Sequence, residues 1–209
     1  MWLKNRYLII SLISLFLFII TAELVRLGET FSFDLILREL TQSATFMLGF
    51  MKVMTEIGSG EAILLLTSLL LIFLWLRNNK LLFWFLFSLS VGGVLLNFGL
   101  KYLYQRERPG AEMDIEVFGN SLDLISYSFP SGHTMRSVIL LMFIIYLTNY
   151  LSKKWLADLI LIVSIFLLIC IPFSRVVLDV HYISDIVAAV LVSVSWFYGC
   201  LFLFKNKLQ

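Results

Sequence analysis

Long charge-free apolar stretches, separated by short polar segments, dominate the pattern along this chain. Six such stretches occur: Tyr7–Ala22, Ala62–Leu76, Leu81–Leu100, Ser137–Ser152, Leu159–Ser174 and Ile186–Phe204. A helix that spans a bilayer needs about 20 mainly apolar residues, and each stretch qualifies once its flanking positions are included. The pattern therefore predicts an all-α integral membrane protein with six transmembrane helices, folded as one domain over residues 1–209.

The segment Thr30–Gly58 has a different pattern. Its apolar residues recur at helical spacing, but Asp34, Arg38, Glu39 and Lys52 interrupt them. This combination is typical of amphipathic helices that lie at the membrane interface. We expect such a helical segment between the first and second spans, and a broken seventh span is the less favoured alternative.

Composition and charge placement agree with a membrane protein and predict its orientation. Hydrophobic residues make up 60% of the chain and charged residues 14%, against roughly 45–50% and about 25% in soluble domains. With six spans, both termini lie on the same side as the basic loops 77–80 and 152–154, and short basic loops are usually cytoplasmic. We therefore expect cytoplasmic termini in a cell membrane, and we see no stripe that would bind nucleic acid.

Three polar clusters interrupt the apolar sequence, and two of them contain the chain's only histidines, His133 and His181. The third cluster contains Lys101 and Arg108. Ionisable groups at membrane depth are costly and usually functional. In the expected topology all three clusters lie on the extracytoplasmic face.

His181 and Asp185 are four residues apart at the start of the last span. If both lay on a helix they would share a face, and the carboxylate would orient the imidazole for nucleophilic attack. Arg175, six residues earlier, could supply a guanidinium to a phosphate. The simpler alternative is an interfacial histidine capped by a neighbouring carboxylate.

The segment Pro130-Ser131-Gly132-His133 is expected to open the fourth span. The first amides of a helix lack partners and favour an anion, and Gly132 allows the backbone to approach it closely. Alternatively, Ser131 is an ordinary N-cap and His133 is incidental.

Lys101 and Arg108 are two helical turns apart, so both can point to one side at the end of the third span, which we expect Pro109 to terminate. Basic residues that flank spans often only snorkel to the interface. These two, however, lie on the acid-rich outer side, where topology does not require them. Together the clusters supply cations, amides and two imidazoles, which suits phosphoryl transfer without a metal.

The three clusters resemble the signature of the type 2 phosphatidic acid phosphatase family: Lys101–x6–Arg108-Pro109, Pro130-Ser131-Gly132-His133 and Ser174-Arg175–x5–His181–x3–Asp185. The resemblance covers residues 101–185. The family includes phosphatidylglycerophosphate phosphatase B and undecaprenyl diphosphate phosphatases. It implies a metal-independent lipid phosphatase with no cofactor, whose substrate is a membrane lipid with a phosphate or diphosphate head.

The resemblance also implies a role for each motif residue. His181 would form a phosphohistidine, Asp185 would orient it, and His133 would protonate the leaving oxygen and then activate water. Five residues would bind the phosphate oxygens: Lys101, Arg108, Ser131, Gly132 and Arg175.

The candidate substrates that the resemblance implies are phosphatidylglycerophosphate, phosphatidic acid and undecaprenyl diphosphate. A site on the outer face favours undecaprenyl diphosphate, which is released there during cell-wall synthesis. A lipid-phosphate binding or transport protein, or an inactive relative, is the alternative, but a binder would not need both histidines.

Other polar residues near the three clusters are not part of the motifs. We expect Arg136 to snorkel rather than bind a second phosphate, and Arg106 and Glu107 to pair on the surface. The acids Glu112, Asp114, Glu116 and Asp123 are expected to line a solvated outer loop.

Overall fold

The computed structural model describes residues 2–43, 45–110, 115–117, 120–122 and 127–208. Helices form nearly all of this part of the chain. In order, they are α1 (Trp2–Arg26), α2 (Phe31–Gln42), α3 (Leu48–Ile57), α4 (Gly60–Leu76), α5 (Lys80–Tyr104), α6 (Gly132–Leu147), α7 (Lys154–Val177) and α8 (Ile183–Leu208). Short 3-10 helices at Thr45–Met47 and Thr148–Tyr150 adjoin α3 and α6.

Four helices within the described residues are long and apolar enough to cross a membrane: Asn5–Arg26, Lys80–Tyr104, Lys154–Val177 and Ile183–Phe204. A fifth span exists if α3 and α4, which meet at a bend of 40°, are counted as one broken helix. The protein is therefore a helical, multi-pass membrane protein with four to five candidate spans.

Five of the six apolar stretches lie within helices, and the other, Ser137–Ser152, extends two residues past the 3-10 helix that follows α6. Two of the helices are shorter than expected. Helix α4 has 17 residues and α6 has 16; at 1.5 Å per residue the latter is about 24 Å long, less than the roughly 30 Å of hydrocarbon in a bilayer. The count of six transmembrane helices stays a prediction.

The segment predicted to lie at the interface forms α2 and α3. On α2 the apolar side chains are exposed and an acidic side chain is buried. Phe33, Ile36 and Leu40 of α2 are exposed, whereas Asp34 on the same helix is 1% exposed. A soluble helix would bury the apolar face and expose the acid. Helix α2 therefore directs its apolar side chains away from the protein and its acid towards the neighbouring chain segments.

The core is built around α6, which packs against α4, α5, α7 and α8. Phe85 and Leu89 of α5 meet Phe143 of α6 in the main apolar cluster. Helix α1 packs along α8, where Ser11 Oγ donates to the Ser195 carbonyl at 2.8 Å and Ser195 Oγ donates to the Ser11 carbonyl at 3.0 Å. These reciprocal bonds satisfy polar groups that would otherwise be buried without partners.

A two-stranded antiparallel hairpin, β1 (Ile115–Val117) and β2 (Asn120–Leu122), lies between α5 and α6 and was not predicted. Of the acids expected to line the outer loop, Glu116 stands in β1, while Glu112, Asp114 and Asp123 lie outside the described residues.

Candidate active site

The C-terminus of α7 forms a Schellman turn that brings Arg175 and His181 together. The amide of Val180 donates to the Arg175 carbonyl at 3.1 Å, and the amide of Asp179 donates to the Val176 carbonyl at 3.0 Å. The amide of His181 also donates to the Arg175 carbonyl, at 3.2 Å. Asp179 has a φ of 59°, the left-handed conformation that this turn requires. The five-residue spacing between Arg175 and His181 is thus the length of a helix-ending turn.

His181 lies just before α8, not on it, because the helix begins at Ile183. The prediction that His181 and Asp185 share a helical face is wrong in that detail. They nevertheless meet: His181 Nδ1 is 3.4 Å from Asp185 Oδ2. That nitrogen has no hydrogen-bond partner among the described residues, and Asp185 Oδ2 instead accepts from the Tyr182 amide at 3.0 Å.

The strongest partner of Asp185 is Arg106, which was predicted to pair with Glu107 on the surface. Arg106 Nη1 donates to Asp185 Oδ1 at 2.6 Å, and its side chain is 14% exposed while that of Asp185 is 0% exposed. The guanidinium also lies over the Tyr182 ring, 4.2 Å from its centroid. The surface pairing is therefore wrong. Burial of Asp185 favours a strong charged partner, since an unpaired buried carboxylate is very costly.

Asp34 of α2 completes this buried cluster. Its Oδ2 accepts from Arg106 Nη2 at 2.7 Å and from Ser184 Oγ at 2.7 Å, and its Oδ1 accepts from the Ser184 amide at 3.0 Å. Ser184 is in the first turn of α8, where amides have no partner within the helix. Asp34 therefore caps the helix that contains Asp185, from 150 residues away in sequence.

The start of α6 lies directly against the start of α8. The Ser131 amide donates to the Asp185 carbonyl at 3.3 Å, and Ser131 Oγ accepts from the Thr134 amide at 3.4 Å as an N-cap. A Cβ atom on Gly132 would lie 3.0 Å from Asn97 Oδ1. Asn97 is itself held by a 3.1 Å bond from its Nδ2 to the Pro130 carbonyl. Ser131 is thus an N-cap, as the simpler interpretation proposed, and it also joins the second and third motifs.

Lys101 and Arg108 reach the site by a different route from the one predicted. Helix α5 ends at Tyr104, and Gln105 has a left-handed φ of 43°, so the helix ends well before Pro109 and Arg108 is not on it. Lys101 Nζ donates to the Tyr127 carbonyl, and Arg108 Nη1 donates weakly to the Val180 carbonyl at 3.4 Å. Both residues still face the segment around His181.

Arg136 does not only snorkel. Its guanidinium lies beside Gly132 and Gly60, because Cβ atoms built there would be 3.4 Å from Nη1 and 3.6 Å from Nη2. Its Nε is buried and without a hydrogen-bond partner among the described residues. It also lies within electrostatic range of His133, so its charge acts at the site.

The site is strongly cationic. Burial first, and then the positive charges of Arg108, Lys101 and Arg175, lower the pKa of His181 well below its usual range. Arg175 is 9% exposed and donates through Nη1 to Thr55 of α3. His133 lies within electrostatic range of both Arg175 and His181. A buried group of cations around a neutral imidazole is suited to bind an anion and attack it.

The eight predicted site residues are thus gathered at one end of the bundle: Lys101, Arg108, Ser131, Gly132, His133, Arg175, His181 and Asp185. In the part of the chain that the structure describes, no group of three or more His, Cys, Asp or Glu side chains could hold a metal ion.

Sequence reasoning did not place Asp34, Arg106, Ser184 or Thr55 at the site. One signal was present for Arg106, which lies inside the first motif, between Lys101 and Arg108. For Asp34 the signal was an acid in the middle of a helix whose other prominent side chains are apolar. Neither signal identifies the partner, because the contact between them joins residues 72 positions apart.

Comparison with known proteins agrees with this geometry. A family model described as the PAP2 superfamily matches residues 81–209. Since the match covers more than half of the chain, the protein belongs to the PAP2 superfamily. The resemblance inferred from the three motifs is confirmed: this is a family of lipid phosphatases that are generally independent of metal ions.

Two solved structures share the fold. A transmembrane PAP2-type phosphatidylglycerolphosphate phosphatase from Bacillus subtilis is similar with a TM-score of 0.79 and 19% identity, over 95% of this chain and 97% of that one. LpxE from Aquifex aeolicus is similar with a TM-score of 0.57 and 21% identity, over 80% of this chain and 93% of that one. No curated protein matches the chain.

Proposed function

We propose that this protein is a membrane lipid phosphatase that acts through a phosphohistidine on His181. The single observation that carries the proposal is the pairing of a buried imidazole with a buried carboxylate inside a ring of cations: His181 Nδ1 lies 3.4 Å from Asp185 Oδ2, and Arg108, Lys101 and Arg175 act on the same ring. Family membership supports the same reaction class.

In the first step the Nε2 atom of His181 attacks phosphorus, because Nδ1 is the nitrogen that faces Asp185. The N–P bond forms as the bond from phosphorus to the lipid oxygen breaks, and His133 gives a proton to that oxygen. For this attack the ring carries its proton on Nδ1, which faces Asp185, so that Nε2 has a free lone pair. In the second step His133 takes a proton from water, which attacks phosphorus and releases phosphate and His181.

The remaining motif residues bind the non-bridging phosphate oxygens, which take no part in the bonds that form and break. Lys101, Arg108 and Arg175 supply positive charge, and Ser131 and the Gly132 amide supply donors at the start of α6. Phosphoryl transfer depends mainly on such positioning and charge stabilisation. This set provides both without calling on a metal ion.

The substrate follows from the location of the site. A chain with four to five candidate spans meets lipids that diffuse laterally, so a lipid with a phosphate or diphosphate head is the substrate class. Phosphatidylglycerophosphate, undecaprenyl diphosphate and phosphatidic acid are the compounds to compare. We propose that residues 1–209 form one domain with six spans, with α4 and α6 as the short ones, cytoplasmic termini and an extracytoplasmic site.

A lipid-phosphate binding or transport protein, or an inactive relative, is the alternative. Binding needs the cations but neither imidazole, and a transporter would not require His133 within range of His181. The two histidines therefore favour turnover.

The test uses purified full-length protein in detergent micelles that contain each of the three lipids and a chelator. Inorganic phosphate should be released from at least one lipid, and His181→Ala should abolish release while lipid binding persists. Full activity in His181→Ala would remove the nucleophile from the mechanism. An absolute requirement for a divalent ion would exclude the metal-free reaction.

A further inference from the structure

The polar face of α2 is directed at the residue that orients the proposed nucleophile. Asp34 is buried and shares Arg106 with Asp185, at 2.7 Å and 2.6 Å. We propose that Asp34 and Arg106 are positioning residues: together they hold Asp185 so that its second oxygen faces His181. The inference rests on the proposed function, in which His181 is the nucleophile.

The geometry assigns each oxygen of Asp185 a distinct task. Oδ1 accepts from Arg106, whereas Oδ2 accepts from the Tyr182 amide and faces His181 Nδ1. A carboxylate with one oxygen clamped by a guanidinium cannot rotate freely about its own bond. Arg106 therefore determines which oxygen the imidazole meets.

Asp34 in turn fixes Arg106. The planar guanidinium donates from Nη1 to Asp185 and Ser184 and from Nη2 to Asp34. This arrangement uses the rigid fork of arginine, which a lysine cannot reproduce. The guanidinium also lies between two carboxyl groups, so the formal charge of the three side chains is −1, which would stabilise the positive charge that the imidazole acquires when it is phosphorylated.

The same contacts make α2 part of the site. Asp34 bonds the Ser184 amide and hydroxyl, so displacement of α2 would release both the start of α8 and the Arg106 clamp. A second ion pair also joins α2 to the turn before His181: Arg38 donates to both oxygens of Asp179, at 2.6 Å and 2.7 Å. That pair does not touch Asp185 or Arg106. Arg38→Gln therefore removes one contact of α2 but leaves the contacts of Asp34 in place, and it serves as the matched control.

The experiment compares Arg106→Gln, Arg106→Lys, Asp34→Asn and the control Arg38→Gln in full-length protein, with kcat and KM measured on the best lipid phosphate. We expect Arg106→Gln to lower kcat by about 10- to 100-fold, because a misplacement of about 1 Å at a reacting group can cost about 100-fold, with little change in KM. Arg106→Lys should recover part of the loss, Asp34→Asn should be intermediate, and Arg38→Gln should resemble wild type.

A second readout does not depend on turnover. Since the chain has two histidines, imidazole 15N NMR resolves His181, with His133→Gln as the assignment variant. Arg106→Gln and Asp34→Asn should shift the His181 ring nitrogens, and Arg38→Gln should not.

Three outcomes would overturn the inference. The first is a wild-type kcat in Arg106→Gln, and the second is unchanged His181 resonances in that variant. The third is a loss of kcat that is fully explained by the fraction of unfolded protein. Asp34→Asn provides the same test if Arg106→Gln does not fold, because the Asp and Asn side chains have nearly the same volume. If wild-type protein releases no phosphate from any lipid, the proposed function fails, and the His181 resonances still decide whether Arg106 positions Asp185.

Discussion

The main-chain amide of Ser131 donates a hydrogen bond to the main-chain carbonyl of Asp185 at 3.3 Å. This bond joins the first residue before α6 to the first turn of α8, and so it sets the distance between the helix that presents His133 and the helix that contains Asp185. Because it involves only the backbone, it does not depend on either side chain. The relative position of the two motifs is therefore a property of helix packing.

Gly132, the next residue, is expected to tolerate no side chain. A Cβ atom would lie 3.0 Å from Asn97 Oδ1, and Asn97 cannot retreat without breaking its 3.1 Å bond to the Pro130 carbonyl. We expect Gly132→Ala to lower kcat/KM for lipid phosphate by at least 10-fold, which corresponds to about 1.4 kcal/mol of transition-state stabilisation. Phosphate release measured at several lipid concentrations tests this.

Gly99→Ala is the matched control, since a Cβ at this other helical glycine would meet nothing within 4 Å. Replacing a mid-helix glycine by alanine usually stabilises a helix by about 0.5–1 kcal/mol, so Gly99→Ala should retain activity. Equal activity of the two variants would contradict the close approach at Gly132.

Arg136 is expected to contribute to binding of the anionic head group. Its guanidinium lies beside Gly132, and its charge reaches His133 and Arg175. Arg136→Gln should therefore raise KM for lipid phosphates more than it lowers kcat, and the increase should be larger for a diphosphate than for a monophosphate because the diphosphate carries more charge. Competition between the two lipids measures the preference.

Arg77→Gln is the control for the loss of one positive charge. Arg77 follows α4 at the opposite end of that helix from Gly60 and contacts the Phe73 ring at 5.4 Å from its centroid. It should leave KM unchanged. A similar KM for Arg136→Gln and wild type on both lipids would show that Arg136 has no part in binding.

The sequence predicts which motif residues come together at the site, but it does not predict the contacts of Asp34 and Arg106 that hold Asp185. Arg175 and His181 are linked by a local turn, so their spacing carries the information. The contact of Asp34 with Arg106 depends instead on how α2 docks against α8, and no local pattern encodes that packing. The end of α5 was misjudged for a related reason: Pro109 is a stronger breaking signal than Gln105, yet the chain turns at Gln105 and brings Arg106 to Asp185.

The last prediction concerns pH. Burial and the charges of Arg108 and Lys101 lower the pKa of His181 well below its usual range, so the imidazole stays neutral, and thus nucleophilic, at pH values where an exposed histidine is protonated. Since only the neutral ring attacks, the lowered pKa moves the acid limit of the His181 reaction to lower pH. Imidazole 15N NMR across pH 5 to 8 should therefore show no protonation step for His181 near the ordinary value of about 6.5.

Arg108→Gln removes one of the cations and should raise the pKa of His181. The control is Arg26→Gln, which breaks an exposed pair with Glu23 and should leave the pKa of His181 unchanged. A His181 that titrates near its ordinary pKa in wild-type protein would mean that the ring is neither buried nor surrounded by cations in the working enzyme.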